Sequence, residues 1–514
     1  MDTAGTRARS FAVAVGIVVL ALAVLAAILG TWWDEEYTMA STAHGVAYAV
    51  DRALHFELQA PLYFILLALW RGLDASLLFA RLFSVLCVGG LCYAFRAIAL
   101  RIRPDADALP FVLLTVANPF VVYAALEVRL YALALLLSAL LWIAFYDGFL
   151  AGDDRRARIA FALLAVAAIY TQYYLGFTLA AAFIALLITR RWTALGAFVA
   201  ISFGIALAIA PVALWVPAQA ASGYTAVQGA AHSGVLTTVR TLAGPLMLFA
   251  LPFSDDWSGP WRWLRFAHHL AFVAGLAALL AWSFRRTSHR DLALLAIPLV
   301  IWGLYLGAAI FAHVQYSIPR HFVALFVPLI AAEYAVFAIV RARGGVTWGR
   351  ALAILYAAFT LATLLTTYRA LAKAGDWPRV AAFLNARTRA GDVVAVFPSR
   401  GYAEVMRSYR GPANVVGFPR AEPAGRFDEL YPAVHSEADA SNTLHRLRDG
   451  HRVWLIVEGT CSPIAGIQDG CYPLNAVLSR DYANAKVTGF FLNRVLEIPS
   501  LPRPAAGTRT PPRS

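Results

Sequence analysis

Three consecutive carboxylates, Asp34, Glu35 and Glu36, follow the first long apolar run, in the stretch TWWDEEYTMASTAHG. A carboxylate at a membrane–water boundary can take a proton from an incoming hydroxyl or amine. EVRLYAL adds Glu127 and Arg129, and IPRHF adds Arg320. Guanidinium groups pair with phosphate oxygens and stabilise charge developing on a phosphate leaving group. Acids and arginines gathered at one interface would therefore suit displacement of a lipid-linked phosphate by an acceptor.

Each of these residues also has a plainer reading. Asp34 would cap a helix beginning near Glu35, where acids suit the helix dipole. Glu36 reads most simply as a solvated neighbour. Glu127 and Arg129 would be charges at a span terminus, two residues apart and so not on one helical face. Arg320 and Arg81 would snorkel to the interface. Tyr170, Tyr173 and Tyr174 fit an aromatic belt. His44 and His55, eleven residues apart in a loop, are no metal signature.

The elements that must position these groups are membrane spans. Of 514 residues, 60% are hydrophobic and 14% charged, too little charge to cover a soluble domain of that length. Apolar runs approaching the ~20 residues of a bilayer core recur along the chain. About eleven spans are expected by hydropathy: near 10–30, 76–97, 108–125, 130–147, 158–175, 176–189, 194–216, 266–284, 291–312, 321–340 and 350–371. The first is too long for a signal peptide's apolar region and lacks a small-residue cleavage site, so it reads as a retained anchor. The segments 61–70 and 238–253 read as interfacial.

The net charge of +13 lies largely in short loops. Arg96, Arg101 and Arg103, then Arg155, Arg156 and Arg158, Arg190 and Arg191, Arg285, Arg286 and Arg290, and Arg341, Arg343 and Arg350 fall at alternate loops. The positive-inside rule makes that side cytoplasmic, with the N-terminus on it. The acidic first loop, 31–75, and the region after 371 are then outside. Membrane lipids, and not nucleic acid, are the expected partners of this basic charge.

After Tyr368 the composition changes. DWPRVAAFLNARTRAGDVVAVFPS reads as helix, Gly-Asp turn and apolar strand; SNTLHRLRDG reads as helix and HRVWLIVEG as a buried strand. The expected organisation is a membrane domain, 1–374, a small extracytoplasmic α/β domain, 375–500, and a Pro-rich disordered tail, 501–514. Asp376, Trp377 and Asp392 read as cap, packing and turn residues. Cys461 and Cys471, in a hydrophilic segment, are disulfide candidates; Cys87 and Cys92 are packing residues.

Along 1–370 the chain resembles the GT-C integral-membrane glycosyltransferases, especially the protein-mannosyltransferase-like and aminoarabinose-transferase-like group. WWDEEYT is similar to that family's first-loop Asp-Glu motif. ELQAPLYFILLALW is similar to its His-Pro-Pro-Leu-Tyr helix, ARLFSVLCVGG to its Arg-Leu-Pro-Ser segment and EVRLYAL to its Glu-Ala-Arg-Pro-Tyr-Ala-Leu segment. YTQYY and IPRHFVALFVP are similar to looser family stretches. The chain departs from the pattern at Gln59 and Ala60, which replace His-Pro, and at Phe83 and Leu130, which each replace a proline. His321 stands where tyrosine is common.

The resemblance implies inverting transfer of a sugar from a polyprenyl-phosphate-linked donor to an extracytoplasmic acceptor, whether envelope lipid, glycan or protein, at the plasma (inner) membrane. It makes Asp34 the base or the group that orients the acceptor, with Glu35 and Glu127 completing the acidic site. It makes Arg81, Arg129 and Arg320 lipid-phosphate contacts and puts Glu57, Gln59, Tyr63 and Tyr131 against substrate. No cofactor is required by the sequence, and the resemblance leaves a divalent metal open at Asp34 or Glu35. A lipid-linked-glycan flippase would instead place its ionisable groups near the bilayer midplane on repeated, broken helices. A glycan polymerase or ligase would use the same kind of donor.

Overall fold

The computed structural model describes residues 3–104, 107–221, 289–311, 319–368, 370–373, 375–419, 434–458 and 471–501. Residue contacts divide the chain into two units. The first comprises Met1–Ile28, Thr38–Ala221 and His232–Arg369; the second comprises Leu29–Tyr37, Ser222–Ala231 and Ala370–Ser514.

Up to residue 369 the described chain is helical. In order, the helices are α1 (Thr3–Ile28), α2 (Trp33–Ser41), α3 (Val46–His55), α4 (Leu62–Arg71), α5 (Leu77–Ile102), α6 (Leu109–Val116) and α7 (Pro119–Leu126). They continue as α8 (Tyr131–Phe145), α9 (Arg155–Thr171), α10 (Phe177–Ile188), α11 (Trp192–Ala213), α12 (Val216–Ala221), α13 (His289–Phe311) and α14 (Val323–Thr367).

Six helical segments among the described residues are long and apolar enough to cross a membrane: Thr6–Ile28, Leu77–Ile102, Tyr131–Leu150, Trp192–Ala213, Leu292–Phe311 and Arg320–Ala338. The protein is a multi-pass membrane protein. Among the described residues fewer segments than the expected eleven or so pass this test, for reasons that differ by segment. The stretch expected to span at 108–125 is two helices, α6 and α7, bent by 64°. Pro119 opens α7 and Asn118 caps it by accepting from the Phe120 amide at 2.9 Å, and a residue before proline avoids the helical region. α9 opens with Arg155, Arg156 and Arg158, and α10 has only 12 residues. The stretches 238–253 and 266–284 lie outside the described residues.

α5 packs against α1, α7 and α8. Its Gly89 permits the close approach of α1, because a Cβ there would come within 3.1 Å of Val19 Cγ2. The last two expected spans form one helical stretch, α14, of 45 residues. The Tyr356 hydroxyl accepts from Asn118 Nδ2 at 3.0 Å.

The second unit is built on a five-stranded sheet, with β1 (Val393–Phe397), β2 (Asn414–Gly417), β3 (Val453–Glu458), β4 (Lys486–Phe490) and β5 (Asn493–Ile498) in the order β2-β1-β3-β5-β4. β2, β1 and β3 run parallel; β5 pairs antiparallel with both β3 and β4. Its helices are α15 (Trp377–Asn385), α16 (Tyr402–Ser408), α17 (Glu437–Leu447) and α18 (Cys471–Asp481). Alternate residues of β1 and β3 enter different cores. Ala395, Phe397, Leu455 and Val457 meet Leu444 of α17 and Leu474 of α18. Val394, Val396, Trp454 and Ile456 meet Val380 of α15 and Val405 of α16. Strands buried on both faces read as unbroken apolar runs, which is why VVAVF and VWLIVE were recognisable as strands.

Candidate active site

α2 begins at Trp33, with the Glu35 and Glu36 amides donating to the Trp32 carbonyl at 3.0 and 3.2 Å. Asp34, Glu35 and Glu36 thus all occupy the first turn, where the helix dipole favours carboxylates. Asp34 lies inside the helix and is not its cap. All three are buried, at 5%, 0% and 7% exposure, and buried carboxylates demand partners.

Within the second unit Glu35 and Glu36 find such partners in cations from the C-terminal sequence. Lys373 Nζ donates to Glu35 Oε2 at 2.8 Å. Arg407 grips Glu36 through both Nε and Nη2, the latter 2.6 Å from Oε2. Arg400 lies over the Trp33 ring at 5.4 Å and reaches Glu458 at 3.5 Å. The reading of Glu36 as a solvated neighbour is corrected: it is buried and forked by an arginine 371 residues later. Neither Lys373 nor Arg407 was legible as a functional residue, since local sequence carries no mark of so distant a pairing.

Within the first unit, Arg129 is the hub. Its Nη1 donates to Glu57 Oε2 at 2.7 Å and to Thr38 Oγ1 at 2.7 Å. Ser41 Oγ donates to Glu57 Oε1 at 3.0 Å. Arg71 Nη1 adds bonds to the Met39 carbonyl and Thr42 Oγ1, both at 2.5 Å, at the C-terminal end of α2, where a cation suits the dipole. Glu57 and Arg129 are 8% and 6% exposed. Glu127 ends α7 in an extended conformation, and its carbonyl accepts from Ser84 Oγ at 2.7 Å. Its side chain is buried.

The other expected residues make contacts of their own. Arg81 is fully buried and donates to the Ala26 carbonyl at 2.7 Å, near the end of α1, so the snorkelling reading fails. Arg320 reaches the Tyr123 hydroxyl at 3.5 Å, and Tyr123 leans on Tyr131 with ring centroids 5.9 Å apart. Tyr63 is fully buried, its ring edge-on to Phe64 and to Phe83, which stands where the family pattern has proline. Gln59 is half-buried, and its amide donates to the Ala53 carbonyl. Tyr174 packs on Tyr305 and lies near His321. A small apolar cavity of about 20 Å³ lies between α8, α9, α10, α13 and α14, lined by Trp142, Phe145, Phe161, Ile297 and Pro328 among others.

The Lys373 ammonium pairs with the Glu35 carboxylate, and among the described residues no group of three or more His, Cys, Asp or Glu could hold a metal ion. Cys471 is disulfide-bonded; Cys461, its expected partner, lies outside the described residues. Cys87 and Cys92 are free and buried.

Two carboxyls of the second unit are displaced from ordinary behaviour. Burial, reinforced by the charges of Glu36 and Glu458 and opposed by Arg400, holds Glu404 well above the usual range. Among the described residues no other residue gives either of its oxygens a hydrogen bond. For Asp392, burial acts upward, but bonds from Arg452, Trp454 and the Arg389 amide outweigh it and hold the group below its usual value.

No family model matches the chain, and no curated protein matches it. Similar solved structures include ArnT from Cupriavidus metallidurans bound to undecaprenyl phosphate, at 16% identity over 94% of this chain and 97% of that one, with a TM-score of 0.47. The apo state of ArnT matches at 16% identity over 96% and 98%, with a TM-score of 0.49. The Archaeoglobus fulgidus oligosaccharyltransferase in complex with Zn and sulfate matches at 11% identity over 90% and 70%, with a TM-score of 0.43.

Proposed function

We propose that this protein is a GT-C glycosyltransferase that moves a sugar from a polyprenyl-phosphate-linked donor to an acceptor outside the cytoplasm. One observation carries the reading. A single buried guanidinium, Arg129, bonds Glu57 and Thr38. Three of the stretches that carry the family resemblance therefore meet at one side chain: the acidic helix, ELQAPLY and EVRLYAL.

In this reading the Asp34 carboxylate accepts the proton of the acceptor hydroxyl or amine as that atom attacks the anomeric carbon. The bond from the anomeric carbon to the phosphate oxygen breaks, the phosphate leaves with the electron pair, and the sugar inverts. Arg129, with its charge balanced by Glu57, and Arg320, beside Tyr123, meet the phosphate. Arg81, whose guanidinium donates to the Ala26 carbonyl, is a further candidate contact for the phosphate. The basic loops face the cytoplasm, and the α/β unit lies outside.

The acceptor is an envelope lipid, glycan or protein. Comparison of envelope glycans and lipid-linked sugars between parent and deletion strains tests the reading. Loss of one glycan residue with accumulation of its polyprenyl-linked donor is the expected result. An unaltered profile contradicts it.

A further inference from the structure

We infer that Lys373 is a positioning residue for the catalytic segment: it pins Glu35 and thereby fixes the first turn of α2, on which Asp34 sits. This rests on the proposed glycosyltransferase reading and deepens it, because it assigns the C-terminal sequence a part in the reaction.

The Lys373–Glu35 pair has the properties of a fixed strut. Its N–O distance is 2.8 Å, and the two side chains are 6% and 0% exposed. By contrast Arg407, which holds Glu36, is 34% exposed. A buried pair is strongly position-sensitive, since removing one partner leaves the other charged and unpaired. Asp34 is the next residue along the same helical turn, so rotation of Glu35 moves it.

Lys373 is itself locked. The Gly375 amide donates back to the Lys373 carbonyl at 2.8 Å, closing a tight turn. Gly375 has φ +132°, a conformation that glycine alone adopts readily. A Cβ there would fall 2.7 Å from Trp377 Nε1 and 3.0 Å from Asn493 Nδ2. One residue later the Asp376 amide donates to the Phe491 carbonyl at 3.1 Å, in the turn between β4 and β5. The line of constraint therefore runs from the β4–β5 turn through Asp376 and Gly375 to Lys373, and from its ammonium to Glu35. Two further contacts steady the same segment: Arg400 over Trp33, and Gly30 close against the Pro378 ring.

The test uses the full-length chain, returned to the deletion strain as wild type or as Lys373→Met, Lys373→Arg, Asp34→Asn or, as an exposed-pair control, Arg480→Ala. The readout is the missing glycan residue and the accumulated lipid-linked donor, with protein level measured in the same membranes. Hydrogen exchange of the purified variants is followed at residues 33–37 and 453–458. Misplacement of a reacting group by about 1 Å costs on the order of a hundredfold in rate. Lys373→Met should therefore lose about that much transfer at normal abundance, with faster exchange at 33–37 and unchanged protection at 453–458. Lys373→Arg should restore most of the activity and the protection. Full transfer by Lys373→Met alongside an inactive Asp34→Asn overturns the role of Lys373 and leaves the enzyme reading standing. Lost transfer with unchanged exchange at 33–37 also overturns positioning. An active Asp34→Asn overturns the role of Asp34 and with it the reason for positioning its helical turn, whereas an unaltered glycan profile in the deletion strain overturns the enzyme reading itself.

Discussion

Arg129 and Glu57 are 72 residues apart in sequence and 2.7 Å apart in the fold, both nearly excluded from solvent. The pair explains why an arginine can sit buried beside EVRLYAL: its charge is neutralised by a carboxylate and its second bond goes to Thr38. It also yields a separable pair of effects. Arg129→Met leaves Glu57 buried without its cation and should destabilise the protein by about 3–5 kcal/mol. The double variant Arg129→Met with Glu57→Gln should regain most of the melting temperature in detergent but not the sugar transfer. Recovery of both would remove Arg129 from the reaction.

Glu404 predicts a pH dependence of opposite sign to most carboxylates. Its folded form holds the proton well above the ordinary value of 4.5. Below that value the group is neutral folded and unfolded alike. As pH rises past it, the unfolded chain releases the proton while the folded chain keeps it, so stability declines toward the folded value. Glu404→Gln should flatten that decline and melt higher than wild type at pH 8. Parallel pH curves for the two proteins would contradict the assignment.

Asp392 predicts the reverse. Its folded value lies below the ordinary 3.8, so its contribution is present above that pH and is lost as pH falls through the folded value. Asp392→Asn weakens the bonds from Arg452 and Trp454 and should cost about 1–3 kcal/mol at neutral pH. The melting temperature of this variant should converge on wild type in acid.

The orientation proposed from the basic loops is checked by single-cysteine labelling at exposed positions. His44→Cys and His445→Cys should react with an impermeant maleimide from the same side, and Arg155→Cys only after the membrane is opened. Reaction of positions 44 and 155 from one side would break the topology.

What was legible in the sequence follows from the range of the forces involved. Apolar length announced helices such as α5 and α11, and double burial announced β1 and β3. The hairpin of β4 and β5 was missed because β4 is largely exposed and mixes Lys486, Thr488 and Gly489 with apolar residues. The break between α6 and α7 was written in Asn118-Pro119 and could have been read there. The acidic triplet was found as a candidate site, but its neutralisation was not. Lys373 lies 338 residues from Glu35, and Arg407 lies 371 from Glu36. Pairings over such separations are decided by the fold and leave no periodicity or spacing in the chain.

The most direct measurement is transfer by Asp34→Asn, which keeps the side-chain shape and removes the proton acceptor. Membranes carrying equal amounts of wild type and variant are compared for conversion of the donor accumulated in the deletion strain. Loss of transfer by a factor of about 100 or more, with normal abundance and melting temperature, is the predicted result. Wild-type conversion by a fully inserted Asp34→Asn protein would contradict the account.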